Sequence, residues 1–489
     1  MKTPQASALS YLKKAIRYCK KNGPGEAFYA SLERMQSSNG TYAPAVLSQN
    51  EKEMQKSRVF LHPQTFSILV PAFETNPEHL KALLESVLCQ TYKQFELIIA
   101  DASRGKSVEN VIMELKQSLE TSRHEKTREI SKKIIYYRLT KNGGISDNTN
   151  EMLKLAKGDY IGLLDHDDLL TPDALYEMQN AIEESILLDK QVTLLYSDED
   201  KCDGAGNVFF EEHRKEKFNL DLIMSNNYIC HFLVMRVGTL KELQFRKDYD
   251  GAQDYDLVLR YVLKLFRDYG EDLTISPSDF RLSTNINDLF RNKITHVSKT
   301  LYHWRCHTGS TAENPESKMY AYDAGLRAIE SFLKVRRIKA RVEHLKHLGF
   351  YRVIYLEDIF EQRKEVGILG GKIIKGNKII SGAFDENGKN IYEGINCHFS
   401  GYMHKAVLYQ DVATVDLAGM SLRPELYPLF RKFFEMEPEE LFADIHNKNG
   451  MYQSNSEKRA MLDAKNRKFC QEVRKLGYLI VWDPQWEIK

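Results

Sequence analysis

FSILVP, residues 66–71, is a short and almost continuously apolar run with no regular alternation of polar and apolar side chains. A strand of that kind is buried on both faces. The same texture returns at FELIIAD (95–101), IIYYRL (134–139), YIGLLD (160–165) and VTLLYSD (192–198). Between the first two runs, Leu80, Leu83, Leu84, Val87 and Leu88 keep the spacing of one helix face, and the segment around Met152, Leu153 and Ala156 does likewise. Strand and helix in alternation predict an α/β fold with a mostly parallel, doubly wound sheet. In such sheets ligands bind beyond the carboxyl ends of the strands. Several of these runs end in a carboxylate, at Asp101, Asp165 and Asp198, which points to a site there.

The segment DYIGLLDHDDLLTPDAL (159–175) carries the sharpest signal. Its apolar run delivers Asp165, His166, Asp167 and Asp168 together at the sheet edge. Carboxylates a few ångströms apart cannot all stay ionised cheaply unless a cation neutralises them. Oxygen ligands favour Mg²⁺ or Mn²⁺, which would also bridge the phosphates of a nucleotide diphosphate. The plain alternative is a solvated turn with helix capping, and Asp173 after Pro172 fits that description.

Two later segments add to it. In YDGAQDYDLVLRYVLKLF (249–266), Leu257, Val258, Tyr261, Val262 and Leu265 form a buried helical stripe, placing Asp254 and Asp256 in the first turn. The helix dipole favours their ionised form there, and such a carboxylate can act as a general base. In KTLYHWRCHTGSTA (299–312), a strand-like stretch holds His303, Trp304, Arg305 and His307. Histidine can ligate a metal and arginine can pair with phosphate, but two histidines so close leave open which one ligates.

The whole chain bounds the function. Its 489 residues are 42% hydrophobic and 28% charged, enough for sizeable cores. A formal net charge of +1 gives no basic field for nucleic acid. No stretch approaches the length needed to span a bilayer and no secretory leader is evident, so a cytoplasmic location is expected. The seven cysteines form no CxxC pair and read as reduced thiols. Residues 8–21 read as a basic amphipathic helix carrying Lys13, Lys14 and Arg17, suited to packing on the next domain or resting at the inner membrane face. QSSNGTYAPAVLSQN (36–50) reads as a loop, and LETSRHEKTREISKK (119–133) as a solvated helix or loop. Three units are expected: an N-terminal helical segment and linker (1–58), the main α/β domain (59–340), and a smaller α/β module (341–489) with strand runs at 366–374, 376–384, 412–422 and 477–484.

With its acidic segments in this order, the chain resembles the family 2 glycosyltransferases of bacterial surface-polysaccharide synthesis, which have the Rossmann-like GT-A fold. The likeness covers about residues 60–315. It rests on FSILVPAFETN (66–76), LLESVLCQTYKQFELIIAD (83–101), KNGGISDNTN (141–150), LLDHDDLL (163–170), YSDEDK (196–201), FNLDLIMSNNYICHFLVMR (218–236), GAQDYDL (251–257) and YHWRCHTGSTA (302–312). The resemblance implies that Pro71, Phe73 and Glu74 lie in the first nucleotide loop, that Asp101 faces the donor base, and that Asn142 and Gly144 form the second loop. It makes Asp165 and Asp167 the D-x-D pair, with Asp167 the more direct ligand of Mn²⁺ or Mg²⁺ and His307 the third. Asp254 becomes the catalytic base, Trp304 and Arg305 support the donor phosphates, and Asp198 and Asp200 line the donor or acceptor side. The implied reaction is inverting transfer from dTDP-rhamnose or a UDP-hexose to a hydroxyl of a growing, lipid-linked glycan.

Where the family carries an aspartate pair after the second strand, this chain has Asp101-Ala102. The C-terminal module resembles the latter half of a second GT-A unit, yet KNRKFCQEVRKLGY (465–478) places Asn466, Arg467 and Lys468 where an acidic base motif belongs. It is therefore expected to be inactive and to serve acceptor binding, homodimer formation or support. Two rival readings are an aspartate-nucleophile phosphatase, which would want a small Gly-Thr turn where Asp168 and Leu169 stand, and a glycan-binding scaffold on an inactive GT-A fold.

Overall fold

The computed structural model describes residues 16, 18–20, 22–36, 42–270, 273–307, 319–446 and 456–489. Most of the expected basic helix, with Lys13, Lys14 and Arg17, lies outside them, as does the end of the 299–312 segment.

The main sheet holds nine strands: β1 (Phe66–Ala72), β2 (Phe95–Asp101), β3 (Ile134–Arg138), β4 (Tyr160–Leu163), β5 (Leu169–Leu170), β6 (Leu194–Cys202), β7 (Phe209–His213), β8 (Leu233–Arg236) and β9 (Ile294–Arg305). They run in the order β3-β2-β1-β4-β8-β6-β9-β5, with β7 paired to β6. β3, β2, β1 and β4 are parallel, as are β6 and β9, whereas β5, β7 and β8 run antiparallel to their neighbours. The sheet is thus parallel where the apolar runs predicted it and mixed beyond β4.

Alternation along β1 and β2 shows why both faces are covered. Phe66, Ile68, Val70, Leu97 and Ile99 join one core with Leu80, Leu83, Leu84 and Val87 of α1 (Pro77–Leu88). Leu69, Ile98 and Ala100 join the opposite core with Met152 and Leu153 of α2 (Ile145–Leu155) and with α3 (Gln253–Tyr269). The second core does not stop near residue 340: Val366, Leu408, Leu479 and Val481 belong to it. The C-terminal unit has a five-stranded sheet of its own, centred on Val366–Lys375 paired parallel to Leu479–Ile488. Asn466, where a base would stand, is buried and donates to the Val415 carbonyl at 2.8 Å, a packing role.

One reading changes. The stretch expected to be a loop at 36–50 contains the start of a helix, Gln49–Ser57, whose Ser48 and Glu51 form a reciprocal capping box. That S-x-x-E signature satisfies exposed N–H groups at a helix start even without an apolar stripe. The 119–133 stretch forms helical turns, including Glu125–Ser131.

Candidate active site

The parallel strands β1, β2 and β4 finish at one edge, and the residues just past them build the site. After β1, Glu74 takes a left-handed backbone (φ 47°), its N–H donates to Ser103 Oγ at 2.8 Å, and its carboxylate accepts from the Arg104 N–H at 2.9 Å. Pro71 is half-buried and Phe73 is exposed beside it. The first two loops are thereby tied to each other before any ligand arrives.

Asp101 is tied into the loop that follows β2. Its side chain is 0% exposed, and it accepts from the Ser103 N–H (2.8 Å), Tyr136 hydroxyl (2.9 Å) and Arg138 guanidinium (2.6 Å). Oδ2 is taken up by Tyr136 and Arg138, while Oδ1 accepts only the Ser103 N–H and keeps an acceptor site. Asp101 acts here as the anchor that fixes Tyr136, Arg138 and the loop after β2.

The second loop is shaped by a single carboxylate. Asp250 accepts from the Ser146 N–H at 3.2 Å at the start of α2, and Gly144 (φ 96°) passes so close that a Cβ there would lie 2.3 Å from Asp250 Oδ2. Only glycine fits that backbone and that approach. Asn142 Oδ1 accepts from the Gly144 N–H and from Asn148 Nδ2, each at 3.0 Å. The loop is held from α3's leading turn, so the Asn142–Gly144 region and Asp254 share one support.

Past β4 the acidic trio divides by environment. Asp168 is 1% exposed, accepting from the Tyr302 hydroxyl at 2.5 Å and the Arg305 N–H at 2.8 Å; burial, then Asp167 and Asp165, push its carboxyl well above the usual range. Asp167 Oδ2 lies 2.7 Å from His307 Nε2. Burial opposes its ionisation, but the His307 contact outweighs it and the carboxyl is drawn down to about 2. Asp165 keeps 46% of its side chain exposed, with His231 Nε2 at 3.8 Å. Its carboxyl is raised by desolvation, eased by His231, and raised further by Asp167 and Asp254. Asp254 on α3 is joined to the same region through Asn227, four residues before His231.

Asp254 stands in the first turn of α3 and accepts from Asn227 Nδ2 at 2.8 Å. Its neighbour Asp256 is buried between Arg246 and Arg260 and is structural. His303 is likewise committed, to Asp200 Oδ1 at 2.5 Å, while Asp200 Oδ2 accepts from Tyr42 at 2.8 Å. His307, not His303, therefore meets Asp167. Asp198 is buried against His296 at 2.7 Å. Asp198 and Asp200 thus brace the sheet instead of lining a donor or acceptor cleft. Arg305 also departs from its expected place: it is 1% exposed, with its guanidinium donating to the carbonyls of Asp167 (2.5 Å) and Gly204 (2.9 Å). It braces the backbone at Asp167 and Gly204, and its second terminal nitrogen is buried without a partner among the described residues.

His231 is the residue that sequence reasoning missed. It stacks on Tyr302 at 4.5 Å with an 8° tilt and places Nδ1 3.1 Å from Glu199 Oε2. Glu199 also lies 3.3 Å from the fully buried Lys215 ammonium. A lone histidine between Cys230 and Phe232 gives no periodic signal, so only the fold reveals this platform beneath Asp165.

The donor set suits a hard divalent ion. Asp167 Oδ2 and His307 Nε2 set a carboxylate oxygen and an imidazole nitrogen side by side, a donor pair suited to Mn²⁺, and their 2.7 Å separation is that of the hydrogen bond between them. The donor atoms of Asp165, Asp168 and His231 also lie within 4.8 Å of one another, but Asp168 is already engaged by two donors and favours its neutral form. His307→Ala is expected to weaken Mn²⁺ binding by at least about tenfold, read by calorimetry on the nucleotide-free protein. Unchanged affinity would remove His307 from the ligand set.

A mostly parallel sheet with helices on both faces, whose strand ends carry Asp165 and Asp167, is the architecture expected of a GT-A type domain. Residues 67–241 match the model of glycosyl transferase family 2. It is 32% identical over 269 residues to the uncharacterized protein y4gI of Sinorhizobium fredii, covering 55% of this chain and 25% of that protein. With the O-antigen biosynthesis protein RfbC of Myxococcus xanthus it shares 29% over 294 residues, 59% of this chain and 19% of the relative. The chain thus spans a quarter or less of the length of these two relatives. Among solved structures, S. aureus TarS 1-349 in complex with UDP-GlcNAc matches at a TM-score of 0.38 and 18% identity, over 55% of this chain and 66% of that one.

Proposed function

We propose that the chain is an inverting, metal-dependent glycosyltransferase. It moves a sugar from a nucleotide-diphosphate donor, dTDP-rhamnose or a UDP-hexose, to a hydroxyl of a growing, lipid-linked surface glycan. The observation that carries this reading is that Asp165 and the Asp167–His307 pair stand together past the end of β4, with Asp254 joined to the same region through Asn227. That the relative from Myxococcus xanthus is named for O-antigen biosynthesis supports a surface-glycan product.

The residues divide the work. Asp167, held ionised, and His307 would hold Mn²⁺ or Mg²⁺, with Asp165 completing the acidic edge on the ribose side. When bound, such an ion supplies positive charge against the departing diphosphate. The loops carrying Phe73, Glu74, Asn142 and Gly144 cradle the nucleotide, tied by the Glu74–Ser103 and Gly144–Asn142 contacts. Asp254 takes the proton of the acceptor hydroxyl as that oxygen attacks the anomeric carbon from the face opposite the diphosphate. Arg305 and Asp168 keep the metal ligands in register from below.

The C-terminal unit serves as support or acceptor platform and as a surface for a homodimer, and the protein works in the cytoplasm at the inner face of the membrane. Among the described residues no helix is long and apolar enough to cross a bilayer. The test is a thermal-shift screen of UDP-, dTDP- and GDP-sugars with and without Mn²⁺. A donor at a hundred times its Kd stabilises the native state by about 2.7 kcal/mol, so one donor class is expected to raise the midpoint only when metal is present. No shift across the panel would favour the inactive-scaffold reading instead.

A further inference from the structure

Beside the base lies an unused hydrogen-bonding atom. Asn227 Nδ2 donates to Asp254 Oδ2 at 2.8 Å, and the Asn227 carbonyl oxygen is buried with no donor among the described residues. The orientation of this amide is not arbitrary. An ionised carboxylate has no proton to give, so the nitrogen must face Asp254 and the oxygen is the atom left over. Buried side-chain oxygens without a donor are uncommon and call for an explanation.

Its surroundings hold it in place. Asn226 next to it donates to the Gly349 carbonyl at 2.9 Å, and the Ser225 carbonyl accepts from the Tyr351 N–H at 2.8 Å, so the segment is fastened to the Tyr351–Tyr355 hairpin strand. Tyr255, the residue after the base, donates to the Ile223 carbonyl and stacks on Tyr351. Asn227 and Asp254 are thus two acceptor-bearing groups fixed side by side on independent elements.

From this we infer that Asn227 reads the acceptor. Its amide nitrogen positions Asp254, and its carbonyl oxygen accepts a hydrogen bond from the hydroxyl next to the one being glycosylated, so that the pair selects a vicinal diol. The inference rests on the proposed role of Asp254 as base. The attacking hydroxyl donates to Asp254, the neighbouring hydroxyl donates to Asn227, and an acceptor lacking the second hydroxyl leaves that oxygen buried and unpaired.

The experiment measures nucleotide diphosphate release from the donor identified by thermal shift. Its acceptors are a methyl hexopyranoside that takes the sugar and the same glycoside with the adjacent hydroxyl replaced by hydrogen. Wild type is expected to prefer the diol by about tenfold to a hundredfold in kcat/KM. In Asn227→Ala that preference falls to near unity, while donor affinity and thermal midpoint stay close to wild type. A purely structural role would lower both acceptors equally and leave the ratio intact, which would overturn the inference. Asp254→Asn run alongside separates the two readings: normal turnover there removes the base itself, whereas lost turnover with an unchanged Asn227→Ala ratio removes only the diol contact.

Discussion

Asp254→Asn is expected to lower turnover by roughly 10²- to 10⁴-fold, the range for removing a positioned general base, while donor affinity stays within about twofold. The substitution changes one atom. The new amide can still accept from Asn227 through its carbonyl oxygen, preserving the contact that now spans 2.8 Å. Loss of charge at this helix position costs little, since a carboxylate in the first turn contributes about 0.3–1 kcal/mol through the dipole. What disappears is the lone pair able to receive a proton from the acceptor. Initial rates of nucleotide release, paired with calorimetric titration of the donor, separate the two effects. A loss confined to KM for the acceptor would mean that Asp254 binds and does not abstract. Normal rates on the true acceptor would assign the base elsewhere on the rim, with Asp165 the nearest candidate because its carboxyl is already raised.

The sequence disclosed the fold wherever burial is two-sided. Phe66–Ala72 and Phe95–Asp101 carry apolar side chains toward both layers, so their strands could be named from composition alone. The Gln49–Ser57 helix was hidden because its stabilisation comes from caps on a polar segment, not from an apolar stripe. At the site, the pattern located every strand end but could not say which way a charged side chain turns once there. Asp165, Asp167 and Asp168 follow one strand, yet one is half-open, one is paired with His307 and one is locked beneath Tyr302. The family resemblance assigns Asp198, Asp200 and Arg305 to the cleft, but it does not say which groups they meet inside the fold. Asp198 meets His296, Asp200 meets His303 and Arg305 meets the Asp167 carbonyl, each from a distant segment, a pairing that only tertiary structure sets. His231 was invisible for the same reason: its neighbours Glu199 and Tyr302 lie 32 and 71 positions away along the chain.

The same distant pairing governs how the C-terminal unit is held, and there the expected effect is on stability. Arg363 is fully buried, forks onto both oxygens of Asp221, and donates from Nε to Glu365 at 3.0 Å; Arg336 meets Glu365 at 3.1 Å. Two acids and two bases thus neutralise one another between the sheet domain and the strand beginning at Val366. Asp221→Ala leaves the Arg363 guanidinium uncompensated and is expected to cost about 3–5 kcal/mol. The damage should reach the site, because Asp221 sits on the short helix Leu220–Ile223 that leads directly into Asn227 and His231. Asp221→Leu combined with Arg363→Met removes both charges of the bidentate pair but leaves Glu365 with only Arg336, so it should recover much, not all, of the loss. Urea unfolding of wild type and the two variants, followed by near-ultraviolet circular dichroism and by nucleotide-diphosphate release, gives the comparison. If Asp221→Ala unfolds within about 1 kcal/mol of wild type, a magnitude ordinary for exposed ion pairs, then water reaches this junction and the C-terminal unit is held by its apolar contacts through Val366, Leu408, Leu479 and Val481 and by its other polar ties, such as Asn219 to Asp411 and Lys405 to Glu216.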